Sequence, residues 1–166
     1  MSLKGRQGIP IHPLASAAII TVPDYAEAAI APVEGTTEGV LVADANVQGW
    51  NFVLREPLRL TIKKGKINEV SGPEDYVGKL KALLAMDENA SNCAAELGIA
   101  TSHTMTTGLT GVSWEYGMAG TIHIAFGRNN DIGGKTLSKL HRDLMITKST
   151  VWLDDVCVLE NGELRV

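Results

Sequence analysis

A chain of 166 residues, 45% of them hydrophobic, is long enough for a single domain with its own core and too apolar to stay disordered. Its formal charge of −4 argues against nucleic-acid binding, because phosphates require a basic face, and the lysines and arginines are scattered. No run of about 18 apolar residues and no basic segment ahead of an apolar stretch is present, so neither a membrane span nor a signal peptide is expected, and a cytoplasmic location follows as an expectation. Cys93 and Cys157, far apart in sequence, are expected to be reduced.

The first fourteen residues, with Pro10 and Pro13, read as an extended arm. Residues 18–22 and 25–31 are short apolar runs, each followed by a proline. Val40-Leu-Val-Ala-Asp44 reads as a strand. Leu58-Arg-Leu-Thr-Ile62 and Ile67-Asn-Glu-Val70 alternate around Lys64-Gly65, a hairpin signature. Ser71, Pro73 and Glu74 form a capping-box pattern ahead of Tyr76, Val77, Leu80, Leu83 and Leu84, whose spacing predicts a helix ending near Asp87. Further strands are expected over residues 93–99, 121–126, 140–146, 150–153 and 156–160, the last turning at Asn161-Gly162. The fold class expected is therefore α+β: one domain, 1–166, with eight or nine short strands in a curled antiparallel or mixed sheet, barrel-like or open, and one or two helices.

The informative residues are ionisable groups set in apolar strands. His123 lies within Thr121-Ile-His-Ile-Ala-Phe126, and Glu96 within Ala94-Ala-Glu-Leu-Gly-Ile99. In Leu140-His-Arg-Asp-Leu144, His141 and Asp143 are two residues apart and project from one strand face. A buried carboxylate is costly unless it is paired or binds a metal, and a His-x-Asp pair offers nitrogen and oxygen ligands side by side. Two glycine-rich loops adjoin these segments: Pro32-Val-Glu-Gly-Thr-Thr-Glu-Gly39, and Gly127-Arg-Asn-Asn-Asp-Ile-Gly-Gly134. Gly133-Gly134-Lys135-Thr136 echoes a phosphate-binding loop but lacks its spaced first glycine and preceding strand, so no nucleotide site is expected.

Four motifs in order, Ala31-Pro-Val-Glu-Gly-Thr-Thr-Glu-Gly39, Ala95-Glu-Leu-Gly-Ile99, Gly120-Thr-Ile-His-Ile-Ala-Phe-Gly127 and Ser138-Lys-Leu-His-Arg-Asp143, resemble the C-terminal, metal-bearing half of the thermophilic leucyl aminopeptidase family. The resemblance implies a two-metal site for zinc, cobalt or manganese, with Glu34, Glu96, His123, His141 and Asp143 as ligands and Glu34 and Glu96 in catalytic roles. The metals would generate a nucleophile and polarise a carbonyl, making the chain an aminopeptidase-like hydrolase of peptides. The family's catalytic tyrosine corresponds to Asn130, its acidic residues before Gly-Thr-x-His are matched only loosely by Glu115, and its N-terminal domain has no counterpart, so peptidase activity is expected to be weak or absent. The same fold family includes an iron-dependent enzyme that opens the ring of 2,5-dihydroxypyridine. On that alternative, His141, Asp143 and either His103 or His123 would form a facial triad for Fe(II) and a small-molecule substrate. A non-catalytic scaffold domain is the third reading. A homodimer is expected, with residues 15–22 as the contact.

Overall fold

The computed structural model describes residues 1–13, 23–93, 95–106 and 108–165. Among them run β1 (Ile9–Ile11), β2 (Glu27–Ile30), β3 (Gly39–Ala43), β4 (Asn46–Val47), β5 (Leu58–Lys63), β6 (Lys66–Ser71) and the helix α1 (Glu74–Leu84). There follow β7 (Glu96–Ala100), β8 (Thr121–Gly127), β9 (His141–Thr147), β10 (Val151–Leu153), β11 (Val156–Glu160) and β12 (Glu163–Leu164), with short 3₁₀ turns at Ser113–Gly117 and Asn130–Ile132. The arm is thus not wholly unpaired, since β1 pairs with β2. Residues 15–22, expected to form a subunit contact, lie outside the described residues.

Local chemistry explains the hairpins. Lys64 (φ 49°) and Gly65 (φ 70°) both take the left-handed conformation between the paired Lys63 and Lys66. That is the two-residue turn whose twist matches antiparallel strands. Asn161 (φ 51°) and Gly162 (φ 84°) repeat it between Glu160 and Glu163. The helix also forms as its spacing predicts, but the capping box does not. Ser71 is still paired with Arg59 in the β5–β6 ladder, so its backbone belongs to the strand rather than to the helix start; Pro73 occupies the cap position without a side-chain hydrogen bond. Glu74 and Asp75 in the first turn instead complement the helix dipole.

The strands form three antiparallel sheets, in the orders β1-β2-β7-β8-β9-β4, β3-β5-β6 and β10-β11-β12. The six-stranded sheet is curled and open rather than closed into a barrel. Its two faces meet different partners. Phe126 and Leu144 pack with Leu41, Leu58, Leu60 and Ile62 of the three-stranded β3-β5-β6 sheet and with Tyr76 and Leu80 of α1. Each such fully buried leucine contributes about 1.5–3 kcal/mol. Ala29 and Met145 face the other way and pack with Ile11, Tyr25 and Tyr116. Cys93 and Cys157 are both free. No helix among the described residues is long and apolar enough to cross a membrane.

Candidate metal centre

Register decides which side chains meet. Across the central strands Glu27 faces Ala100, Gly98 faces His123 and Glu96 faces Ala125, and Ala125 and Gly127 face Asp143 and His141. Directly opposed antiparallel residues project from the same face. Glu27, Glu96, His123, His141 and Asp143 therefore share the Met145 face of the sheet. The small residues between them, Gly98 and Ala125, leave room above the backbone. Glu27, Glu96, His123 and Asp143 are buried, and His141 is nearly so.

Glu96 stands at the middle of this row. Its Oε1 is 3.6 Å from His123 Nε2 and its Oε2 is 3.1 Å from His141 Nε2. His141 Nε2 is also 3.2 Å from Asp143 Oδ1, and His123 Nε2 is 3.3 Å from Glu27 Oε2. Two groups of candidate ligand atoms result, each within 4.8 Å: Glu96, His141 and Asp143, and Glu27, Glu96 and His123. The two groups share Glu96, and no single group contains both histidines. The facial triad with His123 beside His141 and Asp143 is thus not formed directly, because His123 lies on the far side of Glu96.

The two histidines are held by different means. His141 Nδ1 donates to Arg128 O at 2.8 Å, which directs Nε2 toward the carboxylates. His123 Nδ1 is buried with no hydrogen bond. Its ring is placed by shape, edge-on to Tyr116 at a centroid distance of 5.3 Å and directly over Gly98. A Cβ on Gly98 would lie 2.0 Å from His123 Nε2, so only glycine lets the imidazole cross β7 toward Glu27 on β2. On the rim, Tyr25 Oη donates to Glu27 Oε2 at 2.8 Å, and Tyr116 Oη donates to Asn46 Oδ1 at 3.2 Å.

Three buried carboxylates set the electrostatics. Burial alone lowers the basicity of His123, but Glu96, Asp143 and Glu27 override it and push the imidazole up to about 9. Asp143 and Glu96 likewise outweigh burial at His141 and push it up to about 11. Burial would raise Glu96, yet the two histidines hold it down at about 2. Glu27 goes the other way: burial pushes it up to about 7, with His123 and Tyr25 pulling against the rise and Glu96 and Asp143 adding to it. The field that keeps protons on two histidines is the field that attracts a divalent cation. Asp143 Oδ1, buried and facing His141 Nε2 at 3.2 Å, is a polar atom whose lone pairs fit such an ion.

A pH dependence follows for the metal-free chain. The unfolded histidines lose their protons near their ordinary value of 6.5, whereas folded His123 holds its proton to about 9 and His141 to about 11. Between those limits the folded form binds more protons, so stability falls as pH rises. The melting temperature of chelator-treated protein is expected to drop from pH 7 to pH 9, and a His123→Ala variant to drop less. Equal slopes for the two proteins would refute the assignment.

The structure does not bring Glu34 into this cluster. Its Oε1 accepts from Asn129 Nδ2 and from the Lys135 backbone N–H, each at 2.8 Å, and its Oε2 pairs with Arg6. The metal-ligand and catalytic roles expected of Glu34 are therefore corrected: both oxygens already serve loop contacts. Glu27 takes the vacant position in the pattern. Its signal in the sequence was a lone carboxylate among alanines, Tyr25-Ala-Glu-Ala-Ala-Ile30, which reads as an apolar run. His103 is exposed and belongs to neither group. Asn130 is exposed in the 3₁₀ turn after β8. Glu115 is buried and accepts from Gly111 N at 2.9 Å, holding a loop.

Comparison with known proteins gives this geometry a context. The model of one protein family, NicX, described as 2,5-dihydroxypyridine 5,6-dioxygenase, matches residues 24–166. A solved structure of 2,5-dihydroxypyridine dioxygenase from Pseudomonas putida KT2440 is similar with a TM-score of 0.71 and 20% identity, over 84% of this chain and 43% of that one. Wild-type AmpT from Thermus thermophilus is similar with a TM-score of 0.68 and 22% identity, over 97% of this chain and 45% of that one. At these identities the two structures establish a shared fold, and the chain spans under half the length of either. No curated protein matches the chain. The expectation of an aminopeptidase-like hydrolase acting in proteolysis is overturned by the family match over residues 24–166.

Proposed function

The chain belongs to the NicX family, described as 2,5-dihydroxypyridine 5,6-dioxygenase, and from that premise we propose that it carries the Fe(II) centre of a dioxygenase that opens a hydroxylated pyridine ring. Family membership makes it a member of an enzyme family, and the imidazole and carboxylate cluster suits a divalent metal. The observation that carries the reading is the convergence of Glu96, His141 and Asp143 within 4.8 Å on one sheet face. In such a reaction one O₂ breaks one ring bond and both oxygen atoms stay in the product, so no outside reductant is consumed.

Glu96, His141 and Asp143 would hold the ion, which supplies redox chemistry and open coordination positions when bound. The chain's own residues do the rest. The contact from His141 Nδ1 to Arg128 O points Nε2 inward and fixes its direction. Tyr25, Tyr116 and Met145 cover the face and exclude water, which strengthens every charge interaction within. Glu27, raised to about 7, can take up a hydroxyl proton at Oε1, while Oε2 is held in place by the hydrogen bond it accepts from Tyr25. A group poised near neutrality is suited to such transfer.

The test is anaerobic loading with Fe(II), addition of 2,5-dihydroxypyridine, and admission of oxygen. Uptake of one O₂ per ring lost from the ultraviolet spectrum is expected, and His141→Ala should abolish it. An iron-loaded chain that consumes no oxygen with any dihydroxypyridine would overturn the reading.

A further inference from the structure

The loop after β8 carries the carbonyl on which the orientation of His141 depends. Arg128 O accepts from His141 Nδ1 at 2.8 Å, and Arg128 N donates to Leu140 O at 2.8 Å. The next residue, Asn129, is fully buried and organises the loop. Its N donates to Thr136 O at 3.1 Å, and its O accepts from Gly134 N at 2.8 Å and Ile132 N at 3.2 Å. Its Oδ1 accepts from Thr136 N at 2.8 Å. A Cβ on Gly134 would stand 2.0 Å from Asn129 Cγ, so the loop closes tightly onto this side chain.

The Asn129 amide is tied in turn to Glu34. Asn129 Nδ2 and Lys135 N both donate to Glu34 Oε1 at 2.8 Å. Arg6 completes the arrangement, pairing with Glu34 Oε2 and donating to Gly133 O. One carboxylate therefore joins the N-terminal segment, the glycine-rich loop that bears it, and both ends of the 128–136 loop.

We propose that Glu34 is a positioning residue for the metal centre: through Asn129, Lys135 and Arg6 it braces the 128–136 loop and so holds Arg128 O where it fixes His141. The inference rests on reading Glu96, His141 and Asp143 as metal ligands. It gives the Pro-Val-Glu-Gly loop a task that ligation does not, since its two carboxylate oxygens already have partners. Partners behind a ligating histidine typically change metal affinity 10–100-fold when removed, because they set its tautomer and direction. Glu34 acts one step further back, so its expected effect is at the lower end.

Co(II) serves as the probe, with Glu34→Gln, Asn129→Asp and, as a distant control, Asp75→Asn. Glu34→Gln keeps a neutral acceptor for Asn129 and Lys135 but loses the charge facing Arg6. Asn129→Asp keeps the acceptor for Thr136 and loses the donor to Glu34. Both variants are expected to bind Co(II) with unchanged stoichiometry and a dissociation constant raised about tenfold. Both should shift the visible Co(II) spectrum and speed solvent exchange of the His141 Nδ1–H seen by NMR, while Asp75→Asn changes none of these. Loss of a whole equivalent of Co(II) in Glu34→Gln would make Glu34 a ligand and overturn the proposal. Unchanged affinity and unchanged exchange in both variants would overturn it as well. If the unmodified chain binds no Co(II), the metal reading fails, and the brace is still decided by His141 Nδ1–H exchange in the metal-free variants.

Discussion

An Asp143→Ala chain is expected to bind its divalent ion at least about 100-fold more weakly than the unmodified chain, since loss of groups merely behind a ligand already reaches that figure. Asp143 Oδ1 is buried and lies 3.2 Å from His141 Nε2. No other carboxylate offers an oxygen from the same strand. Removing it also withdraws the first of the contacts that raise His141 against burial, so the metal-free variant should lose its His141 proton at lower pH. Asp143→Asn separates the two contributions, because it keeps the shape and one oxygen while discarding the charge. Calorimetric titration with Fe(II) or Co(II) under nitrogen reads the affinity, and NMR titration reads the histidine. Undiminished affinity in both variants would remove Asp143 from the ligand set.

The second large effect is expected at a residue with no side chain. Gly98→Ala places a Cβ 2.0 Å from His123 Nε2 and 2.1 Å from its Cε1, a separation that real atoms do not tolerate. His123 has little room to yield, since it is buried among Tyr116, Glu27 and Glu96. Overpacking of this kind costs about 1–3 kcal/mol, and moving the ring would also strip Glu27 and Glu96 of a cationic neighbour. A double-mutant cycle isolates the cause. Gly98→Ala should cost much less in a His123→Ala background than alone, measured by urea unfolding of metal-free protein. Equal costs in the two backgrounds would show that the glycine serves the strand rather than the histidine.

Much of this protein is written in local patterns. Two-residue turns at Lys64-Gly65 and Asn161-Gly162 form because those residues accept left-handed backbone, and strand alternation alone puts His141 and Asp143 on one face. Glu96 and His123 stand out because charge in an apolar strand demands a partner. The capping box at Ser71 shows the limit of the same reasoning: a hydroxyl of the right type caps nothing when its residue is still held in a β ladder. The chemistry had a similar limit. Carboxylates and imidazoles around a divalent ion serve hydrolysis and oxygenation alike, so the ligand residues do not separate the two; the hydrolase expectation was overturned by the family match over residues 24–166.

What only the tertiary structure decided is which glutamate joins the centre. Glu34 lies in the more conspicuous motif, but its loop folds onto Arg6, Asn129 and Lys135. Glu27 lies in an unremarkable alanine-rich run, but β2 pairs with β7, and the register of Glu27 opposite Ala100 brings its carboxylate to His123. Residue spacing along one strand determines which side chains share a face. It carries no information about which distant strand becomes the neighbour or in what register, because that choice is made by burial across the whole sheet.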